Sequence, residues 1–537
     1  MISKTKKMDI IIYTVLLAFT LFMALKLFQL QTGIGIYYMD IFLYVNNAMK
    51  MAHLGPGDAL YLPPFFPAIL SILFRLGFTG ERTVFAAAAA FYVLGISGMY
   101  LLLRLRFSEM ESLAGAISLA SFSLILAWAA TGALDVPAMA LSIWAVYLAL
   151  LARRHDSRFY YLAFPVSMAA FLTRYTSGLM LLPLAVIILT DPSLRSKLPD
   201  IGKGIVLGVL LYIPFGYLFY SYTRTPLPFT KQLSSTVTGS ATSLNPGYST
   251  DTLYYLRHLP EYISAIPSPS YYLGVINPSY SGPTVTGFII LAIIAAGLIA
   301  LIWRNRDLIS IHNSERKILF ILISAVLIVA FGRLSFALSE VLILIWALSI
   351  LWMRGETDNI DLNLAMAVWF LAYLYMHSFH PVKVDRYIIT VLPPLAYSIS
   401  LSVNQLSASI RSMRASTILS AAIAILMVSS ALHYTAGMPH KDGTVKAEKE
   451  AAAWLMDHDP SYRDRVIASD RGPAFTWYMN HYVFTRIIHH QMREMSLRYF
   501  YELKPYYYIF STGKTEIPSG YRVIYSRDGV SIAERIS

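Results

Sequence analysis

The sequence predicts an α-helical polytopic membrane protein of about 13 transmembrane helices, followed by a small C-terminal α/β domain outside the membrane. Three observations lead there. Of 537 residues, 56% are hydrophobic and only 14% charged, with a mean hydropathy of +0.55; soluble domains carry about 25% charged residues. Apolar runs close to 20 residues, the length that crosses a hydrocarbon core, recur as far as residue 433. Beyond that point charge rises, and short alternating runs replace the long apolar ones.

The first run follows Lys4, Lys6 and Lys7 and resembles a signal peptide. The next segment, "FQLQTG", has no small-x-small cleavage pattern, so an uncleaved first span at 9–29 is expected. Further spans are expected at 83–103, 112–131, 136–152, 159–173, 176–190, 204–222, 284–303, 317–332, 337–353, 362–377, 387–402 and 417–433. "PPFFPAILSILFRLGF" (Pro63 to Phe78) is short, opens with prolines and carries Arg75, which fits an interfacial or re-entrant helix better than a crossing.

Basic residues orient this array. With the N-terminus cytoplasmic, cytoplasmic loops receive Arg104 and Arg106, Arg153, Arg154 and Arg158, Arg195 and Lys197, Arg304 and Arg306, Arg316 and Lys317, Arg354, and Arg411 and Arg414. That is the positive-inside pattern, and counting 63–78 as a crossing destroys it. The reading is a multi-pass plasma-membrane protein with its C-terminal domain outside. The formal charge of +12 then reflects anionic lipid surfaces rather than nucleic acid. With no cysteine, disulfides, thiolate chemistry and Cys-metal sites are excluded.

The outward stretches are 30–82, 131–137, 172–177, 223–283, 377–387 and everything after about 434. Residues 1–433 are expected to form the membrane catalytic domain, with outer loops 30–82 and 223–283, the latter packing over the site. Residues 434–537 are expected to form the soluble domain, with strands in "RVIASD", "YYYIFST", "YRVIYS" and "VSIAERI" and a helix in "VKAEKEAAAWLMDH". Its aromatics, Trp454, Trp477, Tyr478, Tyr506, Tyr507 and Tyr508, serve either as its core or as an acceptor-receiving surface.

The unusual polar residues share the outer side. Asp40 stands among Tyr, Ile, Phe, Leu and Val, where a carboxylate without a role is costly. Asp135 opens a span in "GALDVPAM" and reads as a helix cap or as a functional acid. Arg174 in "FLTRYTSG", and His380, Lys383 and Arg386 in "HPVKVDRY", mark the opposing loops; snorkelling to headgroups is the alternative for Lys and Arg. His377, His380 and Asp385 match no zinc spacing, so no metal is expected. A carboxylate can take a proton from an attacking hydroxyl, and cations can neutralise a phosphate leaving group. Together they suit group transfer from a lipid phosphate.

In order along the chain, these residues resemble the GT-C membrane glycosyltransferases, the group that includes protein O-mannosyltransferases and the lipid A aminoarabinose transferase. The carrying features are Asp40 in the first outer loop, "YLPPFFPAIL", Asp135 in "GALDVPAM", "TRYTSGLMLLP" and "HPVKVDRYIITVLPPLA". The resemblance implies a polyprenyl-phosphate sugar donor, reaction outside the cytoplasm, a lipid, glycan or protein acceptor, and no cofactor. Two departures stand out. Many relatives carry an acidic pair in the first loop, whereas here Asp40 has only Asp58 as a nearby substitute, and the Trp-Trp-Asp-Tyr-Gly signature of oligosaccharyltransferases is absent. The expected roles are Asp40 as base, Asp135 or Asp58 as acceptor-binding or second acid, and Arg174, His380, Lys383 and Arg386 on the donor phosphate. The competing class is a transporter or flippase of a lipid-linked or anionic substrate. Such proteins bind near the midplane and show inverted repeats, and no repeat is visible here.

Overall fold

The computed structural model describes residues 4–230, 247–268, 280–304, 314–354, 360–410, 413–440, 443–488, 493–511 and 517–536. All 13 expected spans fall on helices, but fewer than 13 are long enough to cross a bilayer. Among the described residues eight are long and apolar enough: Met8–Ile34, Glu81–Arg104, Asp135–Arg154, Leu194–Thr223, Val285–Arg304, Asp361–Phe379, Asp385–Ile410 and Arg414–Ala436. Tyr175–Leu189, Ile318–Val329 and Phe336–Leu351 are shorter apolar helices. Tyr160–Thr173 has 14 residues, and 112–131 breaks at Phe122, whose extended backbone (ψ 126°) separates Glu109–Ser121 from Ser123–Trp128. Apolarity alone does not separate a crossing helix from a buried, broken one. Phe65–Arg75 is an 11-residue helix, too short to span.

The chain divides into two compact units, Met1–Phe28 with Ala88–Met438, and Gln29–Ala87 with Pro439–Ser537. The boundary differs from the expected 1–433 and 434–537. Residues 30–82, expected as the first outer loop, join the C-terminal segment because their apolar helix faces and backbone carbonyls are satisfied there.

In the first unit, helix α7 (Asp135–Arg154) packs on α8 (Tyr160–Thr173), and α8 on α10 (Leu194–Thr223). Gly204 and Gly208 of α10, four residues apart, face α8. A Cβ at Gly208 would lie 3.3 Å from the Phe164 carbonyl oxygen, and one at Gly204 would collide with that of Tyr160. Small residues at this spacing let membrane helices approach closely. At the other end of α7, Arg154 donates to buried Asp361 at 2.9 Å, tying α7 to the helix Ile360–Phe379. Nearby, Lys197 pairs with Asp191 at 2.8 Å. Several of the basic residues that set the charge asymmetry thus also close internal pairs.

The second unit holds a five-stranded sheet. Its strands are β3 (Ile467–Ser469), β4 (Phe484–Thr485), β5 (Tyr507–Ser511), β6 (Tyr521–Arg527) and β7 (Val530–Arg535), counted after the hairpin strands β1 (Ala265–Pro267) and β2 (Tyr280–Pro283) of the first unit. The order is β4-β3-β5-β7-β6, parallel about β3 and antiparallel across β5, β7 and β6. Alternation in "YYIFS" explains both faces. Tyr507 and Ile509 enter one core with Ala451 and Leu455 of helix Gly443–His458; Tyr508 and Phe510 enter the other with Phe500 of helix Arg493–Leu503. Tyr507 and Tyr508 are therefore core residues. Helix α2 (Met39–Ala52) and α3 (Phe65–Arg75) pack together, and α2 also packs on helix Gly472–Met479. The edge contact of Phe42 with Tyr478, at 5.4 Å between ring centroids, belongs to this packing.

Candidate functional site

Asp135 is the first residue of α7 and is fully buried. It is not an N-cap: Leu134 holds that position without a side-chain cap bond. The carboxylate meets two guanidinium groups instead. Arg174 Nη1 donates to Oδ1, and Arg386 Nη1 lies 3.6 Å from Oδ2.

Each arginine is placed by a break in helix. Arg174 ends α8 in extended conformation (φ −153°, ψ 117°), ahead of a 3₁₀ turn at Tyr175–Met180. Its Nε donates to Thr176 Oγ1 at 3.0 Å. Arg386 sits in a 3₁₀ turn, Asp385–Val391, that follows the extended Val384. The Tyr387 ring lies against both cations, 4.8 Å from the Arg174 guanidinium and 5.8 Å from that of Arg386. Trp128 contacts Arg386 at 5.6 Å. Two guanidinium charges on one carboxylate leave the trio at net +1. Flat aromatic walls restrict how those forked donors turn.

Asp385, next in line, is buried beneath the described part of loop 223–283. Its Oδ1 accepts from Tyr254 at 2.9 Å and Tyr262 at 2.7 Å. Tyr255 donates to the Val384 carbonyl at 3.3 Å. The described part of that loop thus packs on Val384 and Asp385; its stretches 231–246 and 269–279 lie outside the described residues.

Lys383 has a different task from the one expected. Its Nζ donates to the carbonyls of His377 (3.0 Å), Ser378 (2.6 Å) and His380 (2.6 Å). All three N–H groups are used, closing the end of helix Ile360–Phe379 as a C-terminal cation should. Burial lowers its pKa to about 8, with Asp251 acting the other way. Burial holds His380 below the ordinary imidazole range, aided by the Lys383 charge and opposed by a backbone bond to Val382. Its Nδ1 lies 3.2 Å from the Val382 amide nitrogen and 3.4 Å from the Val382 carbonyl oxygen. Among the described residues no three His, Asp or Glu side chains form a metal cluster.

Asp40 and Asp58 belong to the second unit. Asp40 lies in the first turn of α2, half-buried. Asp58 is exposed and accepts from the Tyr482 hydroxyl at 2.5 Å. The Tyr61 hydroxyl is pushed above its usual range by burial, then by the charges of Asp58 and Asp40. The pairing partners Trp128, Tyr387, Tyr254 and Tyr262 were not singled out from sequence. An aromatic in an apolar run carries no local mark of a cation contact.

Residues 62–217 match the family model described as dolichyl-phosphate-mannose-protein mannosyltransferase. No curated protein matches the chain in sequence. In structure the chain is similar to ArnT from Cupriavidus metallidurans bound to undecaprenyl phosphate. That match has a TM-score of 0.58 at 13% identity and covers 96% of this chain and 97% of that one. It is also similar to the oligosaccharyltransferase AglB from Archaeoglobus fulgidus, in complex with an inhibitory peptide and a dolichol-phosphate. Here the TM-score is 0.53 at 11% identity, over 92% of this chain and 69% of that one. The chain is thus a membrane protein of the GT-C fold, similar over 62–217 to the dolichyl-phosphate-mannose-protein mannosyltransferases.

Proposed function

We propose that this protein is a glycosyltransferase that moves a sugar from a polyprenyl-phosphate donor to an acceptor hydroxyl at the outer face of the membrane. The observation that carries the reading is the trio of buried Asp135 and Arg386 with partly buried Arg174, of net positive charge and set at helix breaks in a GT-C fold. Forked guanidinium groups suit the oxygens of a phosphate leaving group. The match to a mannosyltransferase family model and the undecaprenyl phosphate in the ArnT structure support the same donor class.

In this scheme Asp40 accepts the proton of the acceptor hydroxyl as that oxygen attacks the anomeric carbon. The bond from that carbon to the phosphate oxygen breaks, and polyprenyl phosphate leaves as its anion, held by Arg174 and Arg386. A single displacement inverts the anomeric configuration. Asp135 serves by fixing the two arginines. Asp58, bound to Tyr482, belongs to the acceptor side. The acceptor is a lipid, glycan or protein hydroxyl. The N-terminus is assigned to the cytoplasm and the C-terminal segment to the exterior of the plasma membrane.

Purified protein in nanodiscs, given radiolabelled polyprenyl-phosphate sugars and candidate acceptors, tests this. A new glycosidic bond is expected, and Asp40→Asn should lower transfer by about 100-fold or more. Substrate moved across vesicles without bond formation overturns the reading in favour of a transporter. Tags at 156, 310 and 410 should be shielded in intact cells and one at 537 accessible. An accessible tag at 156 reverses the orientation.

A further inference from the structure

We infer that Arg471, braced by Glu448, is a positioning residue for Asp40, so that the C-terminal segment aims the catalytic carboxylate. The inference rests on the reading of Asp40 as the base. Its geometry lies wholly within the second unit.

The chain reaches Asp40 through a short non-helical stretch, Gly35 to Tyr38, and α2 then starts without a side-chain cap at Tyr38. Gln31 Nε2 donates to the Gly35 carbonyl at 2.8 Å at the start of this stretch. Contacts from more than 400 residues away then hold its approach to α2. Arg471 Nη2 donates to the Tyr37 carbonyl at 2.9 Å, and its guanidinium lies 5.9 Å from the Phe42 ring. The same side chain thus touches residues on both sides of Asp40. Arg471 Nε lies 2.5 Å from Glu448, whose carboxylate is almost wholly buried and is compensated by that guanidinium.

Two further contacts fix the flanks. Gly35 has φ +88°, and a Cβ there would come within 2.9 Å of Val445 Cγ1 and Lys449 Nζ, so the chain presses against helix Gly443–His458. Asn46, in the second turn of α2, donates to the Pro473 carbonyl at 2.8 Å. The first turn of α2 is therefore clamped from Gly35 to Asn46 by one segment, 445–473. A general base must be held within hydrogen-bond reach of the proton it takes, and small misplacements cost large factors in rate.

The test uses the full chain in nanodiscs and exploits its lack of cysteine, so that Asp40→Cys is its one thiol. Alkylation of that thiol by a charged maleimide reads the local geometry whether or not Asp40 is catalytic. Adding Arg471→Met should speed alkylation at least threefold. A Ser519→Cys reporter on the exposed turn before β6 should be unaffected by the same change. With Asp40 in place, Arg471→Met should lower kcat at least tenfold and leave the donor KM within twofold. Arg471→Lys, which keeps a donor for the Tyr37 carbonyl, should recover part of that loss. In the Asp40→Asn background Arg471→Met should add nothing. If Arg471→Met does not fold, Glu448→Gln replaces it with the same expected direction. Unchanged alkylation at position 40 overturns the positioning role, whatever kcat does. Full activity of Asp40→Asn overturns instead the assignment of the base.

Discussion

Replacing Asp135 by Asn removes one charge and little else, because the side chain keeps its shape and one acceptor oxygen. The structure gives the charge two partners, Arg174 in direct contact and Arg386 at 3.6 Å. At an effective dielectric of about 20, a pair near 4 Å is worth about 4 kcal/mol, most of which offsets desolvation. Breaking a buried pair by removing one partner costs about 3–5 kcal/mol, and that is the loss expected in thermal unfolding in nanodiscs. A second effect has the opposite sign. A phosphate seated on the far side of the guanidinium groups lies about 7 Å from the lost charge, one hydrogen bond away on each side of a planar group. At a dielectric of about 40, between surface and bulk values, removing that repulsion is worth about 1.2 kcal/mol. The Kd for a short-chain polyprenyl phosphate, read by titration calorimetry, should therefore tighten roughly sevenfold. A less stable protein that binds the leaving group more tightly is the expected signature. Loss of less than about 0.5 kcal/mol together with an unchanged or weaker Kd refutes the reasoning.

Two other perturbations follow from the same contacts. Lys383→Met removes three donors from the carbonyls at 377, 378 and 380, which should cost about 2–4 kcal/mol locally while leaving the donor KM within twofold; a tenfold rise in KM with unchanged stability would return Lys383 to the phosphate. His481, in the second unit, is held below the ordinary imidazole pKa of 6.5 by burial. The unfolded chain takes up its proton first, so the His481 contribution is complete above pH 6.5 and is lost as pH falls from there through the depressed native value. Hydrogen exchange in β3 and β5 should follow this slope, and His481→Gln should flatten it. A slope that survives the substitution assigns it elsewhere.

The sequence made helix positions legible because apolar runs must be buried wherever they sit. It did not reveal which runs stay unbroken. Phe122 carries no proline or glycine signal, yet it splits 112–131. The charges at span ends were visible, and Asp135, Arg174 and Arg386 stand out because nothing apolar surrounds them cheaply. Their pairing was not visible, since 39 residues part Asp135 from Arg174 and the contact depends on how α7 and α8 pack. Lys383 misled for a related reason. A lysine just past a helix reads equally as a phosphate ligand, a headgroup anchor or a cap, and only its three carbonyl partners decide. Arg471 was beyond reach, because its carbonyl partner at Tyr37 lies 434 residues away.

Asp40 and Asp135 also illustrate how environment suits two acids to different roles under the proposed function. Both stand in the first turn of a helix, at the outer side of the expected topology. Asp135 is fully buried and committed to two guanidinium groups, so a proton placed on it would leave those cations without their counter-ion. A group in that position is suited to hold, not to cycle. Asp40 is half-buried in the first turn of its helix, with the chain leading to it held by Arg471 through the Tyr37 carbonyl. Accessibility with a fixed backbone is what a proton acceptor needs, since it must meet substrate and release its proton afterwards. On the proposed reading the aimed carboxylate is the base and the cations held by the locked one receive the leaving group. On this account a single substitution at Asp40 removes proton transfer while sparing the donor phosphate site, and one at Asp135 spares proton transfer while changing how the two arginines hold the phosphate.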